Sequence, residues 1–224
     1  MKKPKVIAKL QSLANPVNVA GMARYGINPT NTLGISIYVL RDIAKEIGKD
    51  DALADELWAS GIHEARILAS YIADPGKTTE ERMESWVADF DSWDVCDQVC
   101  GLFEETPYAY QKAAAWSARR EEFVKRAAFA IMAGLAVHDK KADDSQFEQI
   151  LAIIVRESSD ERNYVKKAVN WALRNIGKRN RHLNQKAIAT ARQIQQITSR
   201  SARWIAADAL RELTTEKIQC KLRE

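Results

Sequence analysis

Residues 91–101 read Asp-Ser-Trp-Asp-Val-Cys-Asp-Gln-Val-Cys-Gly. A helix starting near Asp91 or Ser92, both good N-cap residues, puts Trp93, Asp97 and Cys100 on one stripe, because positions four and seven apart share a helix face. An indole and a carboxylate then point the same way. An indole face attracts a cation, and a fixed carboxylate stabilises developing positive charge, so the pair suits chemistry at a cationic centre. The competing reading makes Trp93 a core residue and Asp97 a solvated charge. Two further residues stand beside this pair: Arg126, and Trp171 in the run Asn-Trp-Ala-Leu-Arg-Asn.

Other chemistries find little support. Cys96 and Cys100 lie four apart on the same expected helix and Cys220 stands alone, which is neither an even disulfide framework nor a metal site. Reduced thiols and a cytoplasmic location are the expectation. His63, His138 and His182 are scattered without ligand spacing, so no metal is expected. No apolar run approaches the ~18 residues of a membrane span. The basic start Met1-Lys2-Lys3-Pro4-Lys5 leads into an amphipathic segment rather than an export signal. No membrane partner is expected.

The positioning framework reads as helical throughout. Expected helices run from Lys5 to Ala14, Tyr38 to Ile47, Ala52 to Ser60, Ile62 to Ala73 and Glu80 to Phe90, then the helix of Trp93. Later pairs are Tyr108 to Arg119 with Glu121 to Val137, Gln146 to Glu157 with Glu161 to Gly177, and Asn184 to Ile197 with Ser201 to Leu213. No stretch alternates with period two for long enough to mark a strand. The second members of the later pairs resemble one another: Phe123-Val-Lys-Arg-Ala-Ala-Phe-Ala, Tyr164-Val-Lys-Lys-Ala-Val-Asn-Trp and Ser201-Ala-Arg-Trp-Ile-Ala-Ala-Asp. Their starts are 41 and 37 residues apart. Two helices per unit at that period predict an all-α chain of HEAT-like repeats stacked into a curved superhelix with a concave face. The 224 residues then form a single repeat domain, with an N-terminal helical cap over about 1–32, repeats over 33–213 and a tail over 214–224.

Charge is distributed unevenly. Residues 161–224 hold 15 Lys and Arg against 5 Asp and Glu, +10, whereas residues 1–160 hold 19 against 25, −6. Such a basic third suggests an anionic partner, and nucleic acid is the commonest. Lys125, Lys166, Lys167 and Arg203 follow the openings of the second helices and form a basic ladder if those helices line the concave side; otherwise they snorkel at helix edges. Arg174 lies one turn after Trp171. Lys178, Arg179 and Arg181 make a basic segment between helices, read either as a grip on a duplex backbone or as a solvated loop.

The runs Ser-Trp-Asp-Val-Cys-Asp, Phe-Val-Lys-Arg-Ala-Ala-Phe and Tyr-Val-Lys-Lys-Ala-Val-Asn-Trp-Ala-Leu-Arg, in this order, resemble the AlkD-like DNA alkylation repair glycosylases. The likeness extends from about Leu33-Gly34-Ile35 with Leu40-Arg41 to about Leu213. It implies that Asp97 is the catalytic carboxylate, Trp93 and Trp171 the two cleft tryptophans and Arg126 the cleft arginine. Two departures are Phe123, where the family often has tryptophan, and Lys125, which replaces the first arginine of a pair. The implied activity is a monofunctional glycosylase acting on N3- or N7-alkylated purines in double-stranded DNA, as a monomer without cofactor and without a snug base pocket. The alternative is a noncatalytic repeat module that binds branched or distorted DNA.

The residue types suit that reaction on their own terms. A purine alkylated at N3 or N7 is already cationic, so it leaves as a neutral base without a general acid. The remaining difficulty is the cationic sugar, which a carboxylate stabilises and hydrates. Indoles add cation–π attraction of about 0.5–2 kcal/mol each, and an arginine secures a phosphate.

Overall fold

The computed structural model describes residues 1–222. Among these residues there are 14 α-helices, one short 3₁₀ turn and no strand. They form two compact units, Met1–Tyr108 and a second beginning at Ala109. The expected tail lies partly outside the described residues, at 223 and 224; its earlier part holds a short helix. No helix among the described residues is long and apolar enough to cross a membrane.

The first unit contains α1 (Lys3–Ser12), α2 (Pro16–Arg24), α3 (Ile37–Ile47), α4 (Asp51–Trp58), α5 (His63–Ile72), α6 (Glu80–Ala88) and α7 (Trp93–Phe103). Helix α5 is its hub: it packs on α1, α3, α4 and α7, and eight of its residues from His63 to Ile72 are buried. Trp58 and Trp86 stack with parallel rings 4.2 Å apart, and the Trp58 indole donates to Asp89 Oδ2 at 2.9 Å. Burying a tryptophan without a partner for its N–H would cost part of what its area contributes.

Among the α-helices of the first unit, α2 alone has no buried residue. It is held at its start by polar contacts. Asn15 caps it by accepting from Val17 and Asn18 N–H, and Asn15 N–H donates to the Leu33 carbonyl at 2.7 Å. The buried Glu64 carboxylate gathers the N–H groups of Leu33, Gly34 and Ile35 at 2.8, 2.6 and 3.2 Å. This close approach requires Gly34: its φ is +79°, and a Cβ there would sit 2.4 Å from the Asn15 carbonyl oxygen.

The second unit contains α8 (Ala109–Ser117), α9 (Glu122–His138), α10 (Asp144–Glu157), α11 (Asn163–Gly177), α12 (Arg181–Gln195), α13 (Arg200–Leu213) and α14 (Glu216–Gln219). Its helices pair as α8 with α9, α10 with α11 and α12 with α13, while second helices stack as α9–α11–α13 and first helices as α8–α10–α12. That is the HEAT-like arrangement, in which each pair buries its apolar side on its neighbours. Helix α9 is buried almost all round from Val124 to Ala136, as a helix flanked on several sides must be. Side chains bridge adjacent pairs one period apart: Asn170 to Asp208, Arg174 to Glu212 and Ser199 to Glu161, each 38 residues.

Charge divides the same way. Residues 1–108 hold 11 Lys and Arg against 17 Asp and Glu, −6, and residues 109–224 hold 23 against 13, +10. Residues 109–160 are balanced at 8 against 8, so the basic excess lies within 161–224, in α11 and the helices after it.

Candidate functional site

Helix α7 begins where expected, with Ser92 extended at its N-cap. Its hydroxyl does not cap the helix; it accepts from Asn28 N–H at 2.8 Å, while Asp91 Oδ2 accepts from the Asn28 amide at 2.7 Å. The entry of α7 is thereby pinned to the loop after α2. Val95, Cys96, Val99, Cys100, Leu102 and Phe103 form the buried face. Trp93 and Asp97 are half-buried and share one face, whereas Cys100 turns inward to 1 % exposure. The stripe of three is therefore a pair: seven residues fall about 20° short of two full turns, enough to carry the third position into the core. Burial first, then Cys96, Asp97 and Glu104 nearby, push the Cys100 thiol well above its ordinary pKa, so it is not a thiolate nucleophile.

The tryptophans divide evenly. Trp58, Trp86 and Trp116 are 5, 3 and 1 % exposed. Trp93 and Trp171 are half-buried and Trp204 is exposed. Trp93 is thus less buried than the core indoles Trp58, Trp86 and Trp116. The Trp93 Nε1–H donates to the Tyr25 carbonyl at the end of α2, 3.1 Å away.

Asp97 lines a cavity of about 320 Å³ whose wall includes Arg41, Lys49, Tyr71, Gln98 and Glu105. Lys49 is committed to the end of α5, where its Nζ donates to the carbonyls of Tyr71 and Ala73 at 3.2 and 2.6 Å. Tyr71 donates to Gln98 Oε1 at 2.5 Å, and burial raises its pKa although Arg41 acts against the shift. Arg41 lies 5.8 Å from the Tyr71 ring centroid. It is exposed and has no ion pair among the described residues, which leaves a cation for a phosphate beside the Asp97 carboxylate. Arg41, Tyr71 and Gln98 were not singled out by spacing, because helices α3, α5 and α7 meet only in the fold.

In the second unit one stripe of α11 carries Lys167, Trp171 and Arg174, at intervals of four and three residues, and Lys178 follows as the residue that caps the helix. Arg174 Nη1 and Lys178 Nζ both reach Glu212, at 2.8 and 3.2 Å. Lys167 is exposed and has no ion pair among the described residues.

The basic ladder is sorted by the fold. Lys125 pairs with Glu157 at 2.5 Å and Asp160 at 3.5 Å. Lys166 sits 5.5 Å from the Trp204 ring centroid, and Phe123 lies 5.6 Å from Tyr164, so aromatic rings mark the starts of α9, α11 and α13. Arg203 and Arg181 are exposed and without ion pairs among the described residues. Trp204, whose local sequence gives no sign of exposure, joins the candidates.

Arg126 is 6 % exposed, and its Nη1 donates to the Tyr164 carbonyl at 2.7 Å; its shown work is to join α9 to the start of α11. Arg179 is not an open loop cation: it donates to the carbonyls of Ala136 and Ala142 at 3.2 and 3.1 Å, and stacks 4.3 Å from Phe147. A guanidinium satisfies terminal helix carbonyls that would otherwise lack donors. Asn180 and Arg181 are also not loop residues, since Asn180 caps α12 and Arg181 begins it.

The comparisons with known proteins agree with this architecture. A solved structure described as belonging to "a new family of proteins related to the HEAT-like repeat DNA glycosylases with affinity for branched DNA structures" superposes with a TM-score of 0.80 at 21% identity, covering 94% of this chain and 95% of that one. A designed armadillo repeat protein in complex with a (KR)4 peptide matches with a TM-score of only 0.32 at 15% identity, covering 81% of this chain and 87% of that one, which is too low to support any inference. No match is found among the curated proteins. The family model of the DNA alkylation repair enzymes matches residues 6–213, nearly the whole chain. The protein therefore belongs to the DNA alkylation repair enzyme family.

Proposed function

We propose that the protein is a monofunctional DNA glycosylase that hydrolyses the N-glycosidic bond of cationic N3- or N7-alkylated purines in duplex DNA. The observation that supports this most is the pairing of Trp93 and Asp97 on the accessible face of α7, with the carboxylate lining a polar cavity beside Arg41. As the bond from C1′ to the purine nitrogen breaks, its electron pair neutralises the base. Asp97 stabilises the oxocarbenium character left on the sugar and accepts a proton from the water that attacks C1′. The leaving group is already activated by its charge, so the step calls for neither metal nor organic cofactor.

Lys167, Arg181 and Arg203 supply phosphate contacts, and Trp171 presents an indole from the same stripe as Lys167. Arg126 acts as a positioning residue for the start of α11. A second reading, DNA binding without excision, draws support from that same burial of Arg126 and from the branched-DNA affinity ascribed to the structurally similar protein. Incubation with methylated duplex DNA and chromatography of the products separates the two: free 7-methylguanine or 3-methyladenine is expected, and retention on DNA with no base released would select the second reading.

A further inference from the structure

Gln98 follows Asp97 on α7, and both line the cavity of about 320 Å³. Gln98 also lines a second cavity, of about 570 Å³, whose wall includes Ile67 and Trp93. It therefore stands where the space beside the indole meets the space beside the carboxylate. Its amide has a fixed orientation. Tyr71 donates to Oε1 at 2.5 Å, and burial raises the pKa of that phenol, so it keeps its proton across the neutral range. A phenol next to a guanidinium offers it the oxygen lone pairs and turns its own proton away, here from Arg41 toward the amide. With Oε1 held on Tyr71, the two N–H bonds of Nε2 point away from that ring. They have no acceptor among the described residues.

The attacking water has a use for such a donor. Of its two lone pairs and two protons, one lone pair forms the bond to C1′ and one proton passes to Asp97. A carboxylate that only accepts from this water leaves the oxygen free to turn. A donor to the second lone pair removes that freedom, and fixing the approach of a nucleophile lowers the barrier to its attack. The other side-chain donors of the Asp97 cavity are poorly suited. Lys49 is held by the carbonyls of Tyr71 and Ala73, and Ser70 donates to the Ile67 carbonyl. Arg41 is a cation, and its charge against the developing sugar cation would oppose the step. A neutral amide aims the water without that penalty.

We infer that Gln98 is a further catalytic residue, whose Nε2–H donates to the oxygen of the water that attacks C1′ while Asp97 accepts the proton. Tyr71 is a positioning residue that acts through it. This rests on the glycosylase reading above and adds the group that aims the nucleophile. The C1′–N bond breaks with its electron pair going to the base, the C1′–O bond forms, and the proton leaves on Asp97; the amide itself gains and loses nothing.

Single-turnover excision from a 7-methylguanine duplex is the measurement, with enzyme concentration varied to separate the saturating rate from the half-saturating concentration. Gln98→Met keeps the length of the side chain and removes the N–H. Its saturating rate should fall about tenfold, the upper range for one neutral hydrogen bond, while the half-saturating concentration stays within about twofold of the parent. Gln98→Glu keeps an acceptor for Tyr71 without the amide donor, and takes the place of Gln98→Met if that variant is not helical by circular dichroism. Tyr71→Phe should slow the parent about threefold and leave a Gln98 variant unchanged, because residues that act as a unit are not additive. A merely structural role for Gln98 would not produce that coupling.

A parent-like saturating rate in a folded Gln98 variant, a defect carried wholly by the half-saturating concentration, or additive loss on combining it with Tyr71→Phe overturns the assignment and leaves the glycosylase reading standing. A parent protein that releases no base ends that reading and this assignment with it.

Discussion

The Trp93 indole donates its Nε1–H to the carbonyl of Tyr25, across 68 positions of chain. The side chain proposed to stand beside the reacting centre is thus also a fastening for the end of α2, a helix with no buried residue of its own. The two roles are separable. Trp93→Phe keeps an aromatic face and removes the donor, so hydrogen exchange should rise in α2 while excision falls little. Trp93→Ala removes both and should slow excision by roughly 2- to 30-fold, the range of one cation–π contact. Trp171→Ala should slow excision without raising exchange in α2. Loss of helical circular dichroism in either alanine variant would return that tryptophan to the core.

Asp97→Asn is nearly isosteric and neutral. If the carboxylate stabilises a sugar cation, single-turnover excision should drop by about 10²-fold or more with helix content unchanged. Duplex binding should persist or tighten, because a negative charge near phosphates is removed. Near-parent excision by the asparagine variant would make Asp97 a surface charge.

Duplex affinity should fall steeply with salt, as counterions are released on binding. Glutamate at Lys167, Arg181 and Arg203, exposed cations without ion pairs among the described residues, should weaken binding to damaged and undamaged duplex alike and flatten the salt slope. Arg179→Glu should act differently. Its guanidinium holds the carbonyls of Ala136 and Ala142, so the thermal midpoint should fall before any loss of affinity is measured at low temperature. A binding defect in Arg179→Glu with parent-like stability would restore the phosphate role.

His63 gives a pH signature. Burial opposes charging of its imidazole, but the hydrogen bond and charge of Asp94, with Glu64 and Asp91 adding to it, prevail and raise its pKa. A group whose folded pKa is raised contributes stability in full below its unfolded pKa, about 6.5 for histidine, and loses it as pH rises through the folded value. The stability difference between parent and His63→Asn should therefore be largest near pH 6 and shrink toward pH 8. A difference that grows with pH would contradict the ion pair.

Gly34→Ala should be destabilising by about 1–3 kcal/mol in denaturant titration, the usual cost of holding a non-glycine residue in a strained backbone region. The added Cβ also approaches the Asn15 carbonyl at 2.4 Å. An unchanged midpoint would mean that the loop at 33–35 shifts freely, and the three bonds to Glu64 argue against that.

Much of this was legible in the sequence because helical periodicity and capping are local. The helix of Trp93 and the 37- and 41-residue spacing of second helices depend on residues that are near one another in the chain. Partner choice was not legible. Arg179 and Arg181 look alike in sequence, yet one is bound to carbonyls more than 35 residues away and the other is exposed. Arg41 comes beside Asp97 only because α3 and α7 both pack on α5. Nor does the sequence tell Trp86 from Trp93: both begin or sit in helices rich in acid, and only the stacking of Trp58 on Trp86 makes one of them core.

The side-chain bridges that recur 38 residues apart in the second unit have a dynamic consequence. Each ties one helix pair to the next, so cooperativity there passes from neighbour to neighbour rather than through a common centre. Helix α11 is coupled on both sides, to α9 and α13, and α9 is buried almost all round whereas α13 keeps an exposed face at Arg203, Trp204 and Arg211. Opening is then easiest at the C-terminal pair and travels inward one pair at a time. Amide protection should decline in steps from α9 through α11 to α13, and Asp208→Ala, which removes the partner of Asn170, should lower it in α13 first.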